Sequence, residues 1–142
     1  MADNTSNKIY RKDYTKSIFC CPKISLEIKL NLNKTIVTNI MSITPNVARV
    51  KSSSKLELNG ENIDLVALKI NGQKFEHYIL NKTVLIIPNY KNLFDAPFRI
   101  EISTTCNPKA NKALKGLYIS NDVFVTQCEA QGFRNITYAL DR

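Results

Sequence analysis

Ile24-Ser25-Leu26-Glu27-Ile28-Lys29-Leu30-Asn31-Leu32, then Asn33-Lys34 and Thr35-Ile36-Val37-Thr38, is the stretch from which the fold can be read. Apolar residues alternate with polar ones throughout 24–32. A period of two puts each set on its own face of an extended strand. Such a strand is expected to be half-buried, with its Ile and Leu row inside and Ser25, Glu27, Lys29 and Asn31 in water. Residues 35–43 are rich in β-branched side chains, and Asn33-Lys34 is a candidate two-residue turn. Together they predict an antiparallel hairpin.

The punctuation continues downstream. Pro45-Asn46 breaks the pattern, and Ser52-Ser53-Ser54 marks a loop. Leu56 and Leu58 lead into Asn59-Gly60, a turn dipeptide. Ile63 and Leu65, then Val66, Leu68 and Ile70, predict a strand with a bulge where the alternation changes phase. Asn71-Gly72 is the strongest hairpin signal, with Lys74-Phe75 on the return. Residues 83–87 are a short apolar run stopped by Pro88, and 97–105 place Phe98, Ile100, Ile102 and Thr104 on one face. No segment before Asn107 carries a sustained 3.6-residue apolar stripe. The pattern predicts an all-β domain, an antiparallel saddle-like sheet or β-sandwich, over residues 16–142, after a polar N-terminal extension of residues 1–15.

A length of 142 residues fits one domain, and 44% hydrophobic with 23% charged residues is an ordinary globular composition. No apolar run nears the roughly 18 residues that cross a bilayer. The first fifteen residues lack the apolar core of a secretory signal. The expected compartment is therefore cytoplasmic, with no membrane partner. Cys20, Cys21, Cys106 and Cys128 have no metal-site spacing and read as small buried thiols. The net charge is +8, but its lysines are scattered singly, without a basic run or Arg-rich helix. This predicts a solvated surface and no nucleic-acid partner.

The chemistry is sparse. His77 is the only histidine, which excludes His-Glu-x-x-His and any zinc site of several imidazoles. No Ser/His/Asp spacing, Gly-x-Gly-x-x-Gly or phosphate loop is present, so no catalytic residue is expected in this chain. One dense polar run interrupts the strand pattern: Thr126-Gln127-Cys128-Glu129-Ala130-Gln131-Gly132-Phe133-Arg134. Gln127 and Glu129, two apart on a strand, would share a face. A half-buried carboxylate beside an amide suits a primary ammonium. The competing reading is a Glu129–Arg134 salt bridge at a sheet edge, and spacing alone favours it. Gly132 is expected to permit a special backbone conformation.

At these residues the chain resembles a known family. Asn107-Pro108, Asn111-Lys112-Ala113-Leu114, Gly116-Leu117-Tyr118-Ile119-Ser120, Gln127-Cys128-Glu129-Ala130, Gly132-Phe133-Arg134, Ile136-Thr137 and Asp141-Arg142 are similar to the N-terminal domain of aminopeptidase N, in the bacterial alanyl aminopeptidase branch. Weaker similarity extends back through Leu56-Glu57-Leu58-Asn59-Gly60-Glu61 to Tyr10-Arg11-Lys12-Asp13-Tyr14. The resemblance implies a β-domain docked, in cis or in trans, on a thermolysin-like zinc catalytic domain that removes N-terminal residues from peptides. It gives Glu129 the substrate α-amino group and Gln127 the lining of the first substrate pocket. It also implies a domain incomplete at its C-terminal end, because the zinc motif and catalytic tyrosine of the family lie beyond Arg142. Zinc then belongs to the parent enzyme, and this chain by itself should bind none and hydrolyse nothing. The alternative is a stand-alone, non-catalytic β-sandwich interaction module.

Overall fold

The computed structural model describes residues 10–142; residues 1–9, most of the expected extension, lie outside the described residues. β1 (Phe19–Lys29) and β2 (Thr35–Pro45) pair antiparallel from Phe19 opposite Pro45 to Lys29 opposite Ile36. Their connection is longer than the two-residue turn expected. Asn31 organises it: its Oδ1 accepts from the backbone N–H groups of Asn33 and Lys34 at 3.0 and 3.1 Å, and its carbonyl accepts from Thr35 Oγ1 at 2.7 Å. An Asn side chain can thus replace the Asn-Gly chemistry that a tighter turn would need.

The chain next forms β3 (Lys55–Asn59), β4 (Asp64–Ile70), β5 (Gln73–Lys74), β6 (Ile79–Leu80), β7 (Val84–Pro88) and β8 (Phe98–Cys106). β9 (Gly116–Ser120) and β10 (Val123–Gln127) complete the strands. The large sheet has the order β1-β2-β8-β4-β5, the small sheet β3-β7-β6, and β9 and β10 form a separate ribbon. All pairs are antiparallel. The predicted bulge in β4 falls between Leu65 and Ala67. Asn71 and Gly72 take φ of 50° and 83°, as a tight hairpin turn requires.

The two sheets face each other across one core. Met41, Ile43, Ile100 and Ile102 of the large sheet and Leu56, Leu58, Leu85 and Ile87 of the small one are fully buried. Each such side chain contributes about 1.5–3 kcal/mol relative to exposure. Phe94 joins them, its ring centroid 4.7 Å from that of Phe19 and 5.7 Å from that of Phe98. A second cluster of Val37, Cys106, Leu117 and Ile136 ties the ribbon to one end of the large sheet. No helix among the described residues is long and apolar enough to cross a membrane.

One expectation fails at the stretch that signals the fold. Ile24, Leu26, Ile28, Leu30 and Leu32 are 40–54% exposed rather than inside the core. Ile24, Leu26 and Ile28 do point to the core side, opposite Met41, Asn39 and Val37. β1 is an edge strand, however, and the small sheet does not extend over it. The thiols also differ from expectation: Cys106 is buried, but Cys20 and Cys128 are exposed and Cys21 is intermediate.

Candidate functional site

The polar run sits where the β9–β10 ribbon turns back on the sheets. Asn121 and Asp122 make the two-residue turn of the ribbon, both with positive φ. β10 ends at Gln127, opposite Gly116. The chain then reverses over residues 128–132, with a cis peptide between Glu129 and Ala130, and Gly132 N–H donates to the Cys128 carbonyl at 2.7 Å. Gly132 has an ordinary φ of −75°, so it is not there for a special backbone conformation. It is there for space. A Cβ at this position would overlap the Gln127 carbonyl oxygen and stand 2.7 Å from Cys128 Cα.

Gln127 and Glu129 do not share a strand face, because the strand stops between them. The turn brings them together instead: Gln127 Nε2 donates to the Glu129 carbonyl at 3.3 Å. Both side chains are exposed, where sequence predicted a half-buried carboxylate. Among the described residues the Glu129 carboxylate forms no ion pair or hydrogen bond.

The expected Glu129–Arg134 bridge does not form, because Arg134 is taken by other partners. Its guanidinium is clamped by Asp141, with Nε donating at 2.9 Å and Nη2 donating to the same oxygen, and by Glu61 through Nη1 at 3.2 Å. The side chain is only 14% exposed. The Asp141 hydrogen bond, helped by Glu61, raises its pKa further against a smaller opposing cost of burial. Backbone bonds reinforce the knot: Glu61 N–H donates to the Arg134 carbonyl at 2.7 Å, and Asn59 and Ala139 exchange a pair of bonds. Asn62 Nδ2 also donates to Asn135 Oδ1 at 3.1 Å. Sequence reading missed Glu61 and Asp141 as partners of Arg134. Asp141 lies within reach of inspection, seven residues on, whereas Glu61 is 73 residues away with no local signal.

No metal centre is gathered here. Among the described residues no three His, Cys, Asp or Glu side chains come together to hold an ion. His77 instead stacks on Tyr90 with ring centroids 3.8 Å apart. The described residues do not fit a zinc site.

The two packed antiparallel sheets and the ribbon form an all-β fold consistent with the N-terminal domain of M1 aminopeptidases. It superposes on part of the Legionella pneumophila aminopeptidase A crystal structure with a TM-score of 0.76 and 30% identity, over 90% of this chain and 15% of that one. An M1 zinc metallopeptidase from Deinococcus radiodurans shares the fold, with a TM-score of 0.66 at 12% identity over 87% of this chain and 29% of that one. No family model matches the chain. In sequence it is 40% identical over 133 residues to aminopeptidase N of Escherichia coli K12, covering 94% of this chain and 14% of that protein. It is 33% identical over 144 residues to aminopeptidase N of Caulobacter vibrioides, covering all of this chain and 16% of that protein. The chain is homologous to the N-terminal region of aminopeptidase N, and it spans about one-seventh of the length of these relatives.

Proposed function

We propose that this chain is the N-terminal β-domain of a zinc-dependent aminopeptidase that removes N-terminal residues from peptides, with a broad, alanine-preferring specificity. Glu129 receives the α-ammonium of the substrate, and Gln127 lines the pocket for the first side chain. Residues 16–142 form this domain and 1–15 an extension: Phe19 is the first core residue, and Arg11–Asp13 is an exposed 3-10 turn.

The observation that carries this reading is the freedom of Glu129. Its obvious counter-ion, Arg134, is held by Asp141 and Glu61, which leaves an uncompensated carboxylate on a turn fixed by Gly132. A carboxylate has lone pairs for more than one N–H of a primary ammonium, and an internal peptide amide offers it no positive charge. An exopeptidase needs that discrimination. In water an exposed carboxylate binds an amine weakly, so the site gains strength only when a second surface excludes solvent over it. We assign that surface to the catalytic domain, which in such enzymes holds the zinc that activates water. The uncovered apolar row on β1 favours this reading over a stand-alone module, whose edges would be closed.

The test is a chimera in which this chain replaces the matched region of the Escherichia coli relative. It should hydrolyse an alanyl anilide, and Gln127→Ala should change the ranking of first side chains more than the rate on alanine. A folded chimera without aminopeptidase activity would rule the reading out.

A further inference from the structure

A cavity of about 320 Å³ opens where the loop between β8 and β9 meets the loop between β3 and β4. Four carboxamides line it, Asn62, Asn107, Asn111 and Asn135, together with Lys112 and the Cys106 thiol. Their oxygens are mostly spent within the protein. Asn107 Oδ1 accepts from the Ala110 N–H at 3.0 Å, Asn111 Oδ1 from that of Ala113 at 3.2 Å, and Asn135 Oδ1 from Asn62 Nδ2 at 3.1 Å. Asn111 Nδ2 is also used, on the Lys115 and Leu117 carbonyls. Among the described residues, Asn107 Nδ2, Asn135 Nδ2 and Lys112 Nζ have no hydrogen-bond or ion-pair partner. Asn62 Oδ1 is the one carboxamide oxygen of the four left over. The free groups are therefore mainly donors. Asn135 is only 8% exposed, and a donor so nearly buried is costly to leave unpaired.

The surrounding charge has one sign. No Asp or Glu occurs between Glu27 and Glu57 or between Glu101 and Asp122. The Lys109 N–H donates to the Leu32 carbonyl at 2.9 Å, which joins the loop of Lys109, Lys112 and Lys115 to the turn of Lys34. Asp64, opposite Thr105, and Glu61, held by Arg134, are outside the lining. Burial pushes the Cys106 thiol up, so at neutral pH the cavity holds no thiolate to repel an anion. A neutral ligand would satisfy the amides but leave Lys112 without a counter-charge.

We propose that this cavity binds a small oxyanion, a carboxylate or phosphate group, held by Lys112 Nζ and the amide N–H groups of Asn107 and Asn135. The test is a titration of the ¹⁵N-labelled 142-residue chain with sodium acetate and, separately, sodium phosphate, each against sodium chloride at equal ionic strength. The Asn135 side-chain amide resonance should shift saturably with a millimolar Kd, and the tighter of the two anions names the group. Lys112→Gln should weaken binding about 5-fold. Lys115→Gln removes the same charge from the same loop outside the cavity and should weaken it less than about 2-fold. Asn107→Asp keeps the oxygen that accepts from Ala110 and turns the free donor into a negative oxygen, so binding should be lost. A shift that never saturates, or that chloride reproduces, would overturn the site. Equal weakening by Lys112→Gln and Lys115→Gln would mark a diffuse positive potential and overturn it too.

Discussion

At Gly132, a single methyl group decides whether the turn that presents Glu129 can close. A Cβ there overlaps the Gln127 carbonyl, which is backbone and cannot swing aside. Gly132→Ala is expected to cost about 1–3 kcal/mol, read as a lower melting midpoint. Arg134 is the second pivot, linking Glu61 to Asp141 and so the β3–β4 loop to the last residues of the chain. Its carboxylate partners are about one-third exposed, so Arg134→Met should cost only about 1 kcal/mol by urea titration. Loss of several kcal/mol would mean the clamp is more deeply desolvated than its exposure implies. The residue types of the site were legible in sequence: a carboxylate, an amide, a glycine and an arginine within eight residues. Their pairing was not. Choosing between Glu129 and Glu61 as the arginine's partner depends on a contact spanning 73 residues, which no local pattern encodes.

The strands were easier to read than their surroundings. β8 alternates as Phe98, Ile100, Ile102 and Thr104, and all four are buried because β2 and β4 flank it and the small sheet lies above. The row on β1 has equally strict alternation but sits at an edge, and periodicity reports which face a residue takes rather than whether that face is covered. The turn between β4 and β5 gives an element-level test. Gly72 has φ +83° and open space where a side chain would stand, so Gly72→Ala meets backbone strain without a clash. It should cost about 1 kcal/mol in a thermal melt, and a neutral result would show that β5 is not held by this turn. The ribbon turn at Asn121-Asp122 follows the same chemistry and was the hairpin that sequence reading overlooked.

The whole molecule couples its core to pH through two protonated groups. Burial pushes the Cys106 thiol up, and desolvation, followed by the charges of Asp64 and Tyr78, pushes up the Tyr138 phenol. In both cases the unfolded chain ionises first, so the folded state binds more protons at alkaline pH. Stability from this source is intact below about pH 8.5 and falls as pH rises through the thiol range and then the phenol range near 10. Melting temperatures at pH 7.5, 9 and 10.5 should decline, with Tyr138→Phe flattening the upper interval; a flat parent profile would contradict the burial of both groups. At this scale the sequence was informative about fold class and about the absence of a histidine-based metal motif. The way the sheets stack and which edge stays open depend on contacts between distant strands.

The most direct measurement of the central claim is kcat/KM for an alanyl anilide in the chimera, comparing Glu129 with Glu129→Gln. Glutamine keeps the size and reach of the side chain while removing the charge and one of the two acceptor oxygens that an α-ammonium would meet. A charge-assisted contact of this kind is worth about 1.5–3 kcal/mol, so kcat/KM should fall by about 10- to 150-fold while the melting temperature stays unchanged. Equal kcat/KM for the two proteins would contradict the assignment of the amine to Glu129.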